Sequence, residues 1–162
     1  GGFSVYAAAG GAKEVCSVDA SERAVQLADE NMRLNFGDSF PHTTLACDAV
    51  EYLKQIGDRY DLIILDPPAF TKSGATVENA RRGYREINRR AMQILPRGGY
   101  LATCSCSHFM TDTLFRAMLA DAARDASVQL RHIEARQQSP DHPILWGVPE
   151  TDYLKFYLFQ IV

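Results

Sequence analysis

The run Tyr60-Asp61-Leu62-Ile63-Ile64-Leu65-Asp66-Pro67-Pro68-Ala69-Phe70 constrains the fold more than any other stretch. Leu62 to Leu65 is apolar with no polar alternation, and two of its four residues are β-branched isoleucines. A strand buried on both faces of a parallel sheet has this pattern. The run stops at an acid and two prolines, which cannot donate to a ladder and hold the chain extended. Asp66 is thereby presented beyond the carboxyl end of a strand, where open α/β sheets place their ligands. A strand that merely ends in a Pro-Pro turn would look the same locally, so the remaining residues must decide.

They alternate between two periods. Val5 to Ala9 is helix-prone and stops at Gly10-Gly11. Glu14 to Asp19 is expected as a strand ending in an acid. Ser21 is a good N-cap for a helix over Glu22 to Asn35, with Ala24, Leu27, Ala28, Met32 and Leu34 supplying the apolar positions. His42 to Cys47 is the next expected strand, and Asp48 follows it. A short helix runs from Ala49 to Ile56, and Thr71 to Val77 is a loop. A helix is expected over Glu78 to Leu95 and a strand over Tyr100 to Ser107. Thr111 caps a helix reaching Ala126, then come strands over Val128 to Arg136 and Thr151 to Val162. This α-β-α-β-α-β-α-β-α-β-β order predicts an α/β, Rossmann-like, doubly wound and mostly parallel sheet. The last two strands have no helix between them, so an antiparallel C-terminal hairpin is expected. A Gly-rich turn that opens a helix ordinarily follows a strand, and nothing precedes Gly1. The expectation is one domain over residues 1–162 whose first strand lies outside this chain, as in a piece of a longer protein.

Bulk properties narrow the function. A net charge of −3 means that a nucleic-acid partner would need a local basic patch. No apolar run approaches the roughly 20 residues that cross a bilayer, so no membrane partner is expected. The four cysteines, Cys16, Cys47, Cys104 and Cys106, include no Cys-x-x-Cys pair. They read as reduced thiols of a cytoplasmic protein, with no metal site. Oligomeric state is not legible.

Asp19, Asp48 and Asp66 end three successive expected strands, whose ends line one crevice in a doubly wound sheet. Gly1 and Gly2 allow close backbone approach to a ligand, and Asp19 follows at about the 20-residue spacing of a ribose-binding acid. Asp48 is a candidate for the adenine. The nucleotide is then a dinucleotide or S-adenosyl-L-methionine, and Asp66-Pro67-Pro68 favours the second. No Tyr-x-x-x-Lys pattern supports hydride transfer. In Thr103-Cys104-Ser105-Cys106-Ser107-His108, period two places both sulfurs on one strand face. They read either as two core cysteines or as a nucleophile. Cys106 is the better placed for the second role, being nearer the carboxyl end and close to a helix start.

Gly1-Gly2-Phe3-Ser4, Val18-Asp19-Ala20-Ser21, Asp66-Pro67-Pro68-Ala69-Phe70, Gly83-Tyr84, Ser105-Cys106-Ser107, Asp141-His142-Pro143 and Tyr153-Leu154-Lys155 span essentially the whole chain. Together they resemble the class I S-adenosylmethionine-dependent methyltransferase domain of the large-subunit ribosomal RNA cytosine-5 methyltransferases. The resemblance implies methyl transfer from S-adenosyl-L-methionine to RNA, most specifically to C5 of a cytosine in 23S rRNA, through a covalent cysteine adduct. It implies Cys106 as nucleophile and Asp66 at the cytosine edge near N3. It implies a cofactor set of Gly1, Gly2, Phe3, Asp19, Ala20, Ser21, Asp48, Ala49, Asp66 and Pro67. The implied substrate set is Pro68, Phe70, Lys72, Arg82, Tyr84 and His142. Such proteins usually carry an amino-terminal RNA-binding PUA domain, which is not read in these residues. Arg81, Arg82, Arg85 and Arg89 share one helix face, which would either grip phosphates or lie solvated. Three other readings stay open. One is a methyltransferase acting on another RNA position or an exocyclic amine without Cys106; the others are a nicotinamide dehydrogenase and a non-catalytic binding fragment.

Overall fold

A computed structural model describes residues 1–57, 60–70 and 77–162. They divide into two compact units, Gly1–Gln55 and Ile56–Val162.

The first unit contains α1 (Gly2–Ala9), β1 (Val15–Asp19), α2 (Glu22–Phe36), β2 (His42–Ala46) and α3 (Ala49–Gln55). Strands β1 and β2 pair in parallel from Val15↔His42 to Asp19↔Ala46. Ser21 caps α2, its hydroxyl accepting the Ala24 N–H at 3.3 Å. Gly37 closes the same helix with a φ of 73°, in the region that favours glycine. The apolar stripe Val25, Ala28 and Met32 is buried. Helix α1 begins earlier than its apolar run suggests, with Gly1 as N-cap and Val5 N–H bonded to the Gly1 carbonyl. Gly1 must lack a side chain, because a Cβ there would lie 2.7 Å from Ala28 Cα on α2.

The second unit contains β3 (Leu62–Leu65), α4 (Val77–Ile94), β4 (Tyr100–Ser105), α5 (Asp112–Ala126), β5 (Leu130–Arg136), a 3-10 turn at Pro149–Thr151, and β6 (Lys155–Ile161). Its sheet has the order β3-β4-β6-β5, with β3 and β4 parallel and β6 antiparallel to both neighbours. The expected terminal hairpin is present. Its second strand enters between β4 and β5, which the linear order of elements does not reveal. Strand β4 is buried from Leu101 to Ser105, as a strand with neighbours on both edges and helices on its faces should be. Strand β3 is less enclosed than its composition predicts. Ile63 and Leu65 are buried, Ile64 is half-buried and Leu62 is exposed.

Helices α4 and α5 pack together around Tyr84 and Phe115, both fully buried, with ring centroids 5.7 Å apart. Arg81 donates to Asp121 at 2.8 Å and Arg85 binds Asp125 through two bonds of 2.7 and 2.9 Å. Arg89 binds Glu86 on its own helix. Three of the four arginines of this face are thus paired within the protein, Arg81 and Arg85 with acids forty residues away in the sequence and Arg89 with its own helix. Among the described residues, no helix is long and apolar enough to cross a membrane, and no group of three potential metal ligands is found.

Candidate active site

In the first unit, two carboxylates stand at the ends of neighbouring parallel strands. Asp19 ends β1, and its Oδ1 accepts the Ser21 N–H at 2.8 Å. Asp48 follows β2, and its Oδ1 accepts the Glu51 N–H at 2.9 Å, which starts α3. The Cys47 N–H bonds the Asp19 carbonyl at 3.0 Å and ties the two strand ends together. Both acids are exposed, and among the described residues each carboxylate accepts its backbone N–H at Oδ1 alone. Ala20 and Ser21 form the turn after Asp19, and Ala49 is the first residue of α3. Gly2 and the half-exposed Phe3 occupy the first turn of α1, and a Cβ on Gly2 would meet nothing within 4 Å. Two exposed carboxylates after neighbouring parallel strands can accept from the hydroxyls of a ribose and from an exocyclic amine such as that of adenine.

Sequence reasoning missed a polar chain behind these acids. Ser4 Oγ on α1 lies 2.7 Å from Ser17 Oγ on β1, and Ser17 Oγ lies 2.9 Å from His42 Nε2 on β2. His42 Nδ1 is buried 3.5 Å from Asp29 Oδ1 on α2, at ion-pair distance without hydrogen-bond geometry. The chain links four elements of this unit and holds the head of α1 to β1. Nothing in composition or spacing would single out these four residues.

In the second unit, Asp66 and Cys106 follow adjacent parallel strands. Leu65 pairs with Thr103 in the β3–β4 register, which puts Asp66 level with Cys104. Strand β4 ends at Ser105, so the strict alternation expected over Cys104 to Ser107 does not extend to Cys106. The two sulfurs consequently differ. Cys104 is buried and its thiol is pushed up to about 12, first by burial and then by Asp66 and Cys106 nearby. Cys106 is exposed. Burial of part of the Asp66 carboxyl raises it from its ordinary value, although the residue as a whole is exposed.

The remaining residues read as substrate-binding fall into different places. The Phe70 ring meets Tyr84 edge-on at 4.7 Å, and Gly83 lies beneath it: a Cβ there would touch the ring at 3.5 Å. Tyr84 itself is fully buried, and its phenol oxygen accepts from Ser105 Oγ at 3.0 Å. Burial raises the phenol further. Tyr84 thus supports Phe70 and Ser105 and presents no surface to a substrate. That corrects the expectation of direct contact. Pro68 is exposed and Pro67 half-buried. Arg82 is exposed and donates to Asn79 Oδ1 at 3.0 Å. His142 lies in the exposed loop before the 3-10 turn, its Nδ1 3.3 Å from Asp141. Lys72 lies outside the described residues.

Comparison with known proteins gives these features a family. Residues 1–160 match the family model described as S-adenosylmethionine-dependent methyltransferase. The chain is 44% identical over 158 residues to ribosomal RNA large subunit methyltransferase I of Aeromonas hydrophila, covering 96% of this chain and 40% of that protein. It is 39% identical over 165 residues to the protein of the same name from Escherichia coli O139:H28, covering 100% of this chain and 42% of the relative. The chain thus spans about two fifths of the length of these relatives. Among solved structures, SMU.776 complexed with SAH superposes with a TM-score of 0.82 at 24% identity, over 98% of this chain and 42% of that one. TrmN from Thermus thermophilus superposes with a TM-score of 0.67 at 22% identity, over 100% of this chain and 41% of that one. These superpositions establish the Rossmann-like α/β fold of class I methyltransferases. With the fold, the paired strand-end acids and the family match in agreement, the chain belongs to the S-adenosylmethionine-dependent methyltransferase family.

Proposed function

We propose that the protein methylates C5 of a cytosine in large-subunit ribosomal RNA, in the cytoplasm, through a transient bond to Cys106. The observation that carries this reading is that adjacent parallel strands end in an exposed cysteine, after β4, and in a carboxyl raised by burial, after β3. The name of the two relatives, ribosomal RNA large subunit methyltransferase I, supports the choice of RNA.

Cytosine C5 is a weak nucleophile. A Cys106 thiolate adding to C6 turns the ring into an enamine, and C5 then becomes nucleophilic. Bound S-adenosylmethionine supplies the electrophilic methyl group. Asp66, raised by burial, keeps its proton to higher pH than an ordinary carboxyl and donates it to N3 as charge builds there. A base then takes the C5 proton, the C6–sulfur bond breaks with Cys106 leaving as thiolate, and N3 returns its proton to Asp66, which restores the aromatic ring. Gly1, Gly2, Phe3, Asp19, Ala20, Ser21, Asp48 and Ala49 hold the cofactor, with Asp19 accepting from the ribose hydroxyls. Asp66 and Pro67 complete the cofactor set, while Pro68 and Phe70 flank the base, which must leave its stack to react. The exposed Arg82 and His142 contact the RNA backbone, and Lys72, which lies outside the described residues, is assigned to the same role from the sequence.

Nucleoside mass spectrometry of RNA treated with the protein and S-adenosylmethionine tests this. 5-Methylcytidine that disappears with Cys106→Ala supports the reading. A methyl group on an exocyclic amine, retained in Cys106→Ala, overturns it.

A further inference from the structure

Lys155 is the first residue of β6 and faces Ser105 in the antiparallel register. It is 7% exposed. Its Nζ donates to the Ser107 carbonyl at 2.5 Å and to the Tyr153 carbonyl at 2.8 Å. Both acceptors are neutral, and a buried ammonium is costly without an anion. The acids in reach are engaged elsewhere: Asp112 accepts from the Tyr157 hydroxyl, and Asp152 from Gln137. Cys106 sits between Ser105, which pairs with Lys155, and Ser107, whose carbonyl Lys155 grips. The backbone on both sides of the sulfur is therefore pinned to one buried cation.

We infer that Lys155 is a positioning residue for Cys106, fixing the Ser105–Ser107 turn and acting as the counter-ion of a Cys106 thiolate. The inference rests on the reading of Cys106 as nucleophile. The thiol proton passes to solvent and Lys155 stays an ammonium. Burial disfavours the charge on Lys155, and Cys106 leads the groups that oppose this, ahead of Asp152 and Asp112. Among the described residues, Tyr84 on α4 and Cys104 on β4 also interact with Cys106, Asp66 after β3 interacts with both of these, and His108 follows two residues on in the sequence. Tyr84 and Cys104 are both raised by burial and stay neutral at pH 7. Asp66, when ionised, opposes a second negative charge, so a fixed cation has a definite task here.

The test is alkylation of Cys106 by iodoacetamide from pH 6 to 9, read by peptide mass spectrometry without RNA or cofactor. Lys155→Gln keeps an N–H donor and loses the charge, whereas Lys155→Arg keeps the charge. At pH 6.5, wild type and Lys155→Arg should react roughly tenfold faster than Lys155→Gln, whose profile moves to higher pH. A Lys155→Gln profile superimposable on wild type overturns the inference. So does a wild-type profile that rises only like that of an ordinary thiol, near pH 8.5; this needs no variant to fold. Either result leaves the nucleophile reading standing. Full methylation activity in Cys106→Ala would remove that reading whatever the alkylation shows.

Discussion

Ser105 Oγ donates to the Tyr84 phenol oxygen across 3.0 Å, and both residues are fully buried. One bond thereby joins α4 to the last residue of β4, immediately before Cys106. Tyr84→Phe keeps the ring contacts with Phe70 and Phe115 and leaves the Ser105 hydroxyl without its acceptor. It should destabilise the protein by about 1–2 kcal/mol in urea denaturation, a buried polar group having lost its partner. Turnover should fall less than tenfold, since Tyr84 offers no surface to substrate.

Asp19→Ala should weaken binding of S-adenosylhomocysteine by roughly an order of magnitude or more, because two ribose hydroxyls lose a charged acceptor. Isothermal titration calorimetry measures this. The melting temperature without ligand should change little, as Asp19 is exposed, its carboxylate binds the Ser21 N–H among the described residues, and its backbone bond to Cys47 survives the substitution.

The buried Cys104 thiol should resist alkylation at pH 8, where Cys106 is labelled, because it loses its proton only near 12. The same shift sets a stability trend. The folded value lies above the ordinary 9.0, so the contribution of Cys104 is complete below pH 9 and is lost as pH rises toward 12. Cys104→Ala should flatten that part of the stability–pH curve.

Arg81 and Arg82 are neighbours in sequence with different tasks. Arg81 clamps α5 through Asp121, so Arg81→Ala should lower stability by about 1 kcal/mol. Arg82 is exposed and bonds only Asn79 among the described residues. Arg82→Ala should leave stability unchanged and reduce the salt dependence of RNA binding by about one unit of slope. Filter binding at several ionic strengths separates the two.

What could be read without coordinates was local. Ser21 and Thr111 cap the helices they were expected to cap, because a hydroxyl before an apolar-periodic run has few other uses. Leu62 to Pro68 announced a strand and a presented acid because proline leaves the backbone little choice. What stayed hidden depended on distant pairing. The entry of β6 between β4 and β5 brings Lys155 beside Ser105, fifty residues away in sequence. The same holds for Arg85 on Asp125 and for Ser17 on His42. The two cysteines separated for a related reason. Period two holds only while a strand lasts, and β4 ends between them at Ser105.

The most direct measurement is covalent trapping on large-subunit ribosomal RNA containing 5-fluorocytidine, in the presence of S-adenosylmethionine. Fluorine at C5 cannot leave as a proton does, so a cysteine that has attacked C6 stays attached. The account predicts a stable protein–RNA adduct whose cross-linked peptide contains Cys106, and no adduct from Cys106→Ala. Unmodified protein after incubation with the 5-fluorocytidine RNA and S-adenosylmethionine, or an adduct formed equally by Cys106→Ala, would contradict it.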